Sequence, residues 1–125
     1  MQGIARGWEA DVHRGPDWLI VKLRCPQWSF PETESLADRI WALLQRHFVY
    51  RLVLELDELE LLTTPLLGQL VVLDRRIRER SGLLRLCGLS PQNREVLRVH
   101  GLLGRLPAYG CPRDAVMGMT SRKPR

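Results

Sequence analysis

The chain predicts an α/β fold, a mixed and mostly parallel β-sheet covered by about four helices. Arg51-Leu52-Val53-Leu54-Glu55-Leu56 and Leu83-Leu84-Arg85-Leu86-Cys87-Gly88-Leu89 are short apolar runs of strand length. Between them Leu66, Leu70, Leu73 and Ile77 fall at spacings of four, three and four, the stripe of a core-facing helix. Strand, helix and strand thus follow one another between Arg51 and Leu89, which is the right-handed crossover unit of a parallel sheet.

Trp8 to Val12 alternates apolar and polar residues, and Asp17 to Leu23 is rich in β-formers. With His13-Arg14-Gly15-Pro16 between them, they predict an antiparallel hairpin. Cys25-Pro26-Gln27-Trp28-Ser29-Phe30-Pro31 is a breaker-rich loop. Its Trp28 and Phe30 either lid the edge of the core or contact a partner. A helix is predicted from about Thr33 to His47, with Leu36, Ile40, Leu43, Leu44 and His47 on one side. Thr33 or Ser35 can cap it, and Glu32 and Glu34 suit the positive end of its dipole.

In the central unit, Thr64 followed by Pro65 reads as an N-cap and a first helical residue. The hydroxyl takes an orphan backbone N–H, and proline needs none there. Gly82 reads as the left-handed residue that closes the helix. Ser90-Pro91 repeats the start signal and opens a short helix through Val96, Leu97 and Val99 to Gly101. Leu102 to Tyr109 reads as an edge strand, Pro112 to Met119 as a terminal helix, and Thr120 to Arg125 as a flexible basic tail. The predicted order is β-β-α-β-α-β-α-β-α, one domain over residues 1–125 with its core at about 8–119.

Composition narrows the function classes. No apolar run approaches the roughly eighteen residues of a membrane span, and the N-terminus lacks a signal pattern. Cys25, Cys87 and Cys111 are odd in number and scattered, which favours reduced thiols and a cytoplasmic location. Cys111, before Pro112, is either an exposed thiol at a helix start or a small residue at a turn. Gly-x-Gly-x-x-Gly, Gly-x-x-x-x-Gly-Lys-Ser/Thr and Gly-x-Ser-x-Gly are all missing from the sequence. His13, His47 and His100 are dispersed, and no Cys or His pair has metal-ligand spacing. Neither catalysis nor a cofactor nor a metal is expected.

Two charge clusters have bland readings beside sharper ones. The net charge is +5, and Arg75, Arg76, Arg78 and Arg80 crowd the back of one helix, with Arg122, Lys123 and Arg125 in the tail. A basic face can bind phosphates, yet no aromatics interleave with it as in single-strand binders. It reads as a solvated face with an Asp74–Arg78 pair at i,i+4, so no nucleic acid is expected. Glu55, Asp57, Glu58 and Glu60 have the oxygen chemistry of a Mg²⁺ site. Alternate residues of a strand and its loop point to opposite sides, so the group reads as a solvated acidic loop.

Thr63 and Thr64 carry the sharpest signal, sitting where the sheet meets a helix N-terminus. Phosphorylation there places negative charge on backbone N–H groups and a dipole that tolerate it, beside Glu58 and Glu60. The plainer reading makes Thr64 an N-cap only and Thr63 a strand-end residue.

The run Leu52-Val53-Leu54-Glu55-Leu56-Asp57 followed by Leu61-Leu62-Thr63-Thr64-Pro65-Leu66-Leu67-Gly68 resembles the STAS domain, the fold of the anti-sigma factor antagonists. That family shows a strand ending in Leu-Asp, an apolar pair, Asp-Ser-Ser-Gly-Leu-Gly and a helix. Gly82 to Ser90 is similar to its glycine, strand and helix-start segment, and Glu95 to Leu102 resembles its short helix ending before Gly-Leu. Element order agrees from about Trp8 to Met119. By position, Thr64 falls on the serine that partner kinases phosphorylate and Thr63 on the aspartate before it. Pro65 falls on the second small residue, Leu66 on the first glycine, and Gly68 keeps the second. The threonine retains a phosphorylatable hydroxyl, whereas the aspartate that a recognising kinase expects is lost.

The resemblance implies a non-catalytic regulatory binding module that docks an anti-sigma factor or regulatory serine/threonine kinase in a partner-switching pathway. Its implied docking surface comprises Glu58, Thr63, Thr64, Pro65, Gly68 and Ser90. Thr64 is the implied switch, with Thr63 as second choice. Other family members work without a phosphorylation cycle, as accessory subunits of transport ATPases or as scaffolds. The same surface would then serve a non-switching accessory or scaffold subunit of a transporter or signalling assembly. No membrane insertion is expected, and a homodimer is left open.

Overall fold

The structure, a computed structural model, describes residues 2–26 and 33–118. Trp28, Phe30, Glu32 and the basic tail from Thr120 lie outside the described residues, as does Met119. Among the described residues six strands form one sheet in the order β1-β2-β3-β4-β5-β6. They are β1 (Gln2–Ala5), β2 (Trp8–Arg14), β3 (Leu19–Arg24), β4 (Arg51–Glu55), β5 (Leu83–Cys87) and β6 (Ala108–Tyr109). The first two pairings are antiparallel, and β3 to β6 run parallel. The helices are α1 (Leu36–His47), α2 (Thr64–Glu79), α3 (Pro91–Val99) and α4 (Pro112–Met117). The predicted mixed sheet and crossover unit are therefore present.

Alternation along the strands divides the apolar residues between two faces. Leu52 and Leu54 join Leu19, Val21, Leu23, Leu84 and Leu86 in the main core. Leu36, Ile40, Leu43 and Leu44 of α1 and Leu66, Leu70, Leu73 and Ile77 of α2 close that core, as their spacing predicts. Each such burial is worth about 1.5–3 kcal/mol. Val53 and Cys87 face the other way and meet Trp18 and Ala115 in a smaller cluster under α4.

Several sequence expectations are corrected. β1 pairs with β2 although its residues carry no alternation signal, because adding an edge strand to the hairpin satisfies backbone groups. The edge strand expected over Leu102 to Tyr109 shrinks to Ala108–Tyr109; the N–H of Leu106 instead bonds the carbonyl of Leu102 in a turn. Ser35 stands at the N-cap of α1 without a side-chain bond. The Ala37 N–H donates instead to Oε1 of Gln69 at 2.9 Å, so α2 caps its neighbour.

The helix signals around α2 shift by one residue at each end. Thr63, not Thr64, is the N-cap: its backbone is extended, and its hydroxyl oxygen accepts from the Leu66 N–H at 3.4 Å. Thr64 and Pro65 are the first helical residues, where proline's missing N–H is still harmless. At the other end Ser81 takes the left-handed conformation (φ 56°), not Gly82.

The two charge clusters lie largely in solvent, as expected: Arg75, Arg78 and Arg80 are exposed on the back of α2, and Asp57, Glu58 and Glu60 are exposed in the loop, but each cluster makes contacts that local spacing did not show. Asp74 pairs with Arg78 at i,i+4, yet it is only 1% exposed and also accepts from Arg105 at 3.1 Å. Arg76 bonds Asp38 at 2.6 Å and lies over Trp41 at 5.1 Å, and Arg80 covers Tyr50 at 5.1 Å. In the acidic loop, Lys22 Nζ lies 3.2 Å from Asp57 and 3.9 Å from Glu58. The Asp57 hydrogen bond holds the Lys22 ammonium pKa above its usual value.

Candidate functional site

Parallel strands bring the loops that leave their C-terminal ends to one edge of the sheet. The loop after β4 runs from Leu56 to Thr63 and feeds α2; the loop after β5 runs through Ser90 into α3. The first loop is anchored by its own apolar residues, for Leu56, Leu59 and Leu62 are buried while Leu61 is half exposed. Glu58, Thr63, Thr64, Pro65, Gly68 and Ser90 are all exposed at this end. Every residue of the expected docking surface is thus accessible, and all lie on or beside these two loops.

Asn93 is the residue that joins the two loops, and it was not singled out from the sequence. Its side chain is fully buried. Its Oδ1 accepts from the Leu62 N–H at 3.0 Å, and its Nδ2 donates to the Leu59 carbonyl at 3.2 Å. A longer contact reaches the Glu60 carbonyl at 3.5 Å. Asn93 is held in turn by Ser90, whose Oγ accepts the Asn93 N–H at 3.1 Å and caps α3 as predicted. One buried amide therefore fixes the stretch that presents Leu61, Thr63 and Thr64. The signal was available: Asn93, Val96, Leu97 and His100 share the helical stripe, and a polar residue there needs partners.

The two threonines have different surroundings. Thr63 spends its oxygen on the cap. Thr64 occupies the first helical position with an exposed side chain that makes no hydrogen bond among the described residues. Next to them lies a cavity of about 310 Å³ walled by Trp8, Pro26, Leu59, Leu61 and Leu66, with Glu58 and Glu60 among its lining.

Among the described residues, no three of His, Cys, Asp and Glu gather as metal ligands. Burial pushes the Cys87 thiol up to about 12, with Glu55 and Asp57 adding to the rise, and burial also raises Cys25. Cys111 is exposed at the start of α4. A thiol reagent at neutral pH is expected to modify Cys111 in the folded chain and to reach Cys87 only on unfolding. Peptide mass mapping with and without denaturant checks this, and fast native labelling of Cys87 would refute it.

No described helix is long and apolar enough to cross a membrane. The family model described as the STAS domain matches residues 8–113. No curated protein matches the sequence significantly. Among solved structures, the chain is similar to an anti-sigma-factor antagonist (STAS) domain protein from Planctomyces limnophilus, at 24% identity and TM-score 0.68. That match covers 90% of this chain and 98% of the other. An anti-sigma factor antagonist from Mycobacterium paratuberculosis is 18% identical with TM-score 0.72, covering 90% and 93%. RsbS S58E from Moorella thermoacetica is 14% identical with TM-score 0.71, covering 87% and 92%.

Proposed function

The chain belongs to the STAS domain family, and from that premise we propose that it is a non-catalytic regulatory module, one domain over residues 1–125 with its core at about 8–119. In this reading it docks an anti-sigma factor or a regulatory serine/threonine kinase. The docking surface is the one formed by Glu58, Thr63, Thr64, Pro65, Gly68 and Ser90, and phosphorylation of Thr64 switches it. The observation that carries the reading is the free, exposed Thr64 side chain at the first position of α2. A phosphate there meets the positive end of a sixteen-residue helix, so the fold tolerates it. The same phosphate adds up to about two negative charges beside Glu58 and Glu60, which changes what a partner meets.

Thr63 is the poorer switch, since modifying its hydroxyl would disturb the cap. The two positions therefore separate by experiment. Thr63→Ala is expected to lower stability by about 1 kcal/mol through the lost cap, measured by urea unfolding. Thr64→Ala is expected to change stability by less than about 0.5 kcal/mol and to keep docking. Thr64→Glu is expected to weaken docking.

The test is an affinity pull-down from the native cell with wild type beside Thr64→Glu, and mass mapping of Thr63 and Thr64. Loss of a kinase-like or anti-sigma partner in the Glu variant, with phosphate on Thr64, supports the switch. Unmodified Thr64 with the same partners in both baits would replace it by a constitutive accessory or scaffold role on the same surface.

A further inference from the structure

The two ends of the sheet carry complementary features. At the end opposite the threonines, an open cleft of about 530 Å³ is lined by Arg14, Arg51 and Arg80, with Asp17 the single acid among its lining residues. None of the three arginines pairs with a carboxylate among the described residues. Arg51 lies over Trp18 at 6.0 Å and Arg80 over Tyr50 at 5.1 Å, so aromatic contacts hold their positions without cancelling their charge.

Phe48 stands in the same cleft, 85% exposed. It closes α1 in the left-handed conformation (φ 54°), a place where glycine is usual and a bulky residue is strained. Ser81, the other described non-glycine residue with positive φ, lines the cleft too. Single exposed apolar side chains are ordinary; what sets Phe48 apart is the left-handed backbone that holds it in a cleft it shares with three arginines that have no carboxylate partner among the described residues.

The other end of the same chain supplies what this end lacks. The cavity of about 310 Å³ is walled by Leu59, Leu61 and Leu66, with Glu58 and Glu60 among its lining. Lys22 Nζ lies 3.2 Å from Asp57 and 3.9 Å from Glu58, which leaves a single cation against Asp57, Glu58 and Glu60, and Glu60 has no cation beside it among the described residues. One end therefore presents an apolar knob with a net excess of positive charge, and the opposite end an apolar hole with an excess of negative charge.

We propose that a second copy of this chain docks head to tail, Phe48 of one copy entering the Leu59–Leu61–Leu66 cavity of the next. In that contact Arg51 and Arg80 would face Glu58 and Glu60. Because knob and hole lie at opposite ends of β4, the contact joins different patches and does not close on itself, so it builds open chains rather than a two-fold dimer. Ordering costs and screened charges make it a weak, reversible and salt-sensitive association.

Sedimentation velocity of the intact protein from about 10 μM to about 1 mM, at low and high salt, tests the proposal. The expected result is a mass average that rises with concentration without a plateau at dimer and falls with salt. Phe48→Ser and, separately, Glu58→Arg with Glu60→Arg are each expected to weaken association at least tenfold or so. All these side chains are exposed, and thermal melts verify that the variants remain folded. Mixing the two variants is decisive, since one keeps the hole and the other keeps the knob. Their mixture is expected to form a one-to-one dimer that grows no further. A wild type that stays monomeric throughout, that stops at a closed dimer, or whose variants fail to complement would overturn the proposal. The result does not depend on the Thr64 switch, because no partner or phosphate enters the experiment.

Discussion

Asn93→Ala is expected to destabilise the protein by about 2–4 kcal/mol, a large share of the roughly 5–15 kcal/mol that holds a domain folded. The Leu62 N–H loses its acceptor and the Leu59 carbonyl its donor, both next to a side chain with no solvent exposure. A buried polar group stranded in this way costs about 1–3 kcal/mol. Urea unfolding measures the loss, and amide exchange locates it, with the Leu62 N–H expected to lose protection before the central strands do. A change below about 1 kcal/mol with Leu62 still protected would mean that water replaces the amide at no great cost. The consequence for docking follows from the same bonds. Leu61, Thr63 and Thr64 hold their places because Leu59 and Leu62 are tied to α3, so the variant should present a looser surface even where it is folded.

The legibility of this chain in its sequence divides along physical lines. Periodicity reported the elements that bury one face: the stripe of α2, the stripe of α1 and the apolar runs of β4 and β5 were all readable, because burial imposes a period. Caps were readable to within one residue. Thr63 and Thr64 are the same residue type, and proline is harmless at either of the first two helical positions, so composition does not choose between them. Contacts between elements were invisible. Gln69 caps α1 from another helix, Lys22 reaches the acidic loop from a different strand, and Arg105 joins Arg78 on the buried Asp74. Each pairing depends on how the sheet arranges distant segments, and no local spacing encodes that. The basic back of α2 is the solvated face with the Asp74–Arg78 pair that its spacing suggested, while the aromatic rings beneath Arg76 and Arg80 were invisible for the same reason, since they come from α1 and from the residue before β4. For the candidate site, the threonine end and its exposed neighbours were legible. Asn93, which holds them in place, sat on an apolar stripe and passed as an ordinary helix residue.

Two glycines of the central unit are expected to respond to alanine with opposite signs. Gly82→Ala should destabilise severely, by about 3 kcal/mol or more, through overpacking against backbone. A Cβ there would sit 1.9 Å from the Tyr50 carbonyl oxygen and 2.9 Å from Cγ2 of Ile77. Neither neighbour yields cheaply. Tyr50 precedes β4 and its carbonyl accepts the Leu83 N–H, while Ile77 is fully buried in the core. The close approach, and not a left-handed backbone, is what this position needs from glycine. Gly68 lies within α2, and a Cβ there meets nothing within 4 Å. Gly68→Ala should therefore stabilise the helix by about 0.5–1 kcal/mol, since alanine restricts the unfolded chain and adds no clash. Urea midpoints at constant slope measure both. The pair also separates folding from docking, because no intramolecular contact explains a glycine at an exposed helical position. If Gly68 admits a partner at close range, a bulkier Gly68→Gln should keep the fold yet weaken docking, whereas equal docking would free the position from the surface altogether.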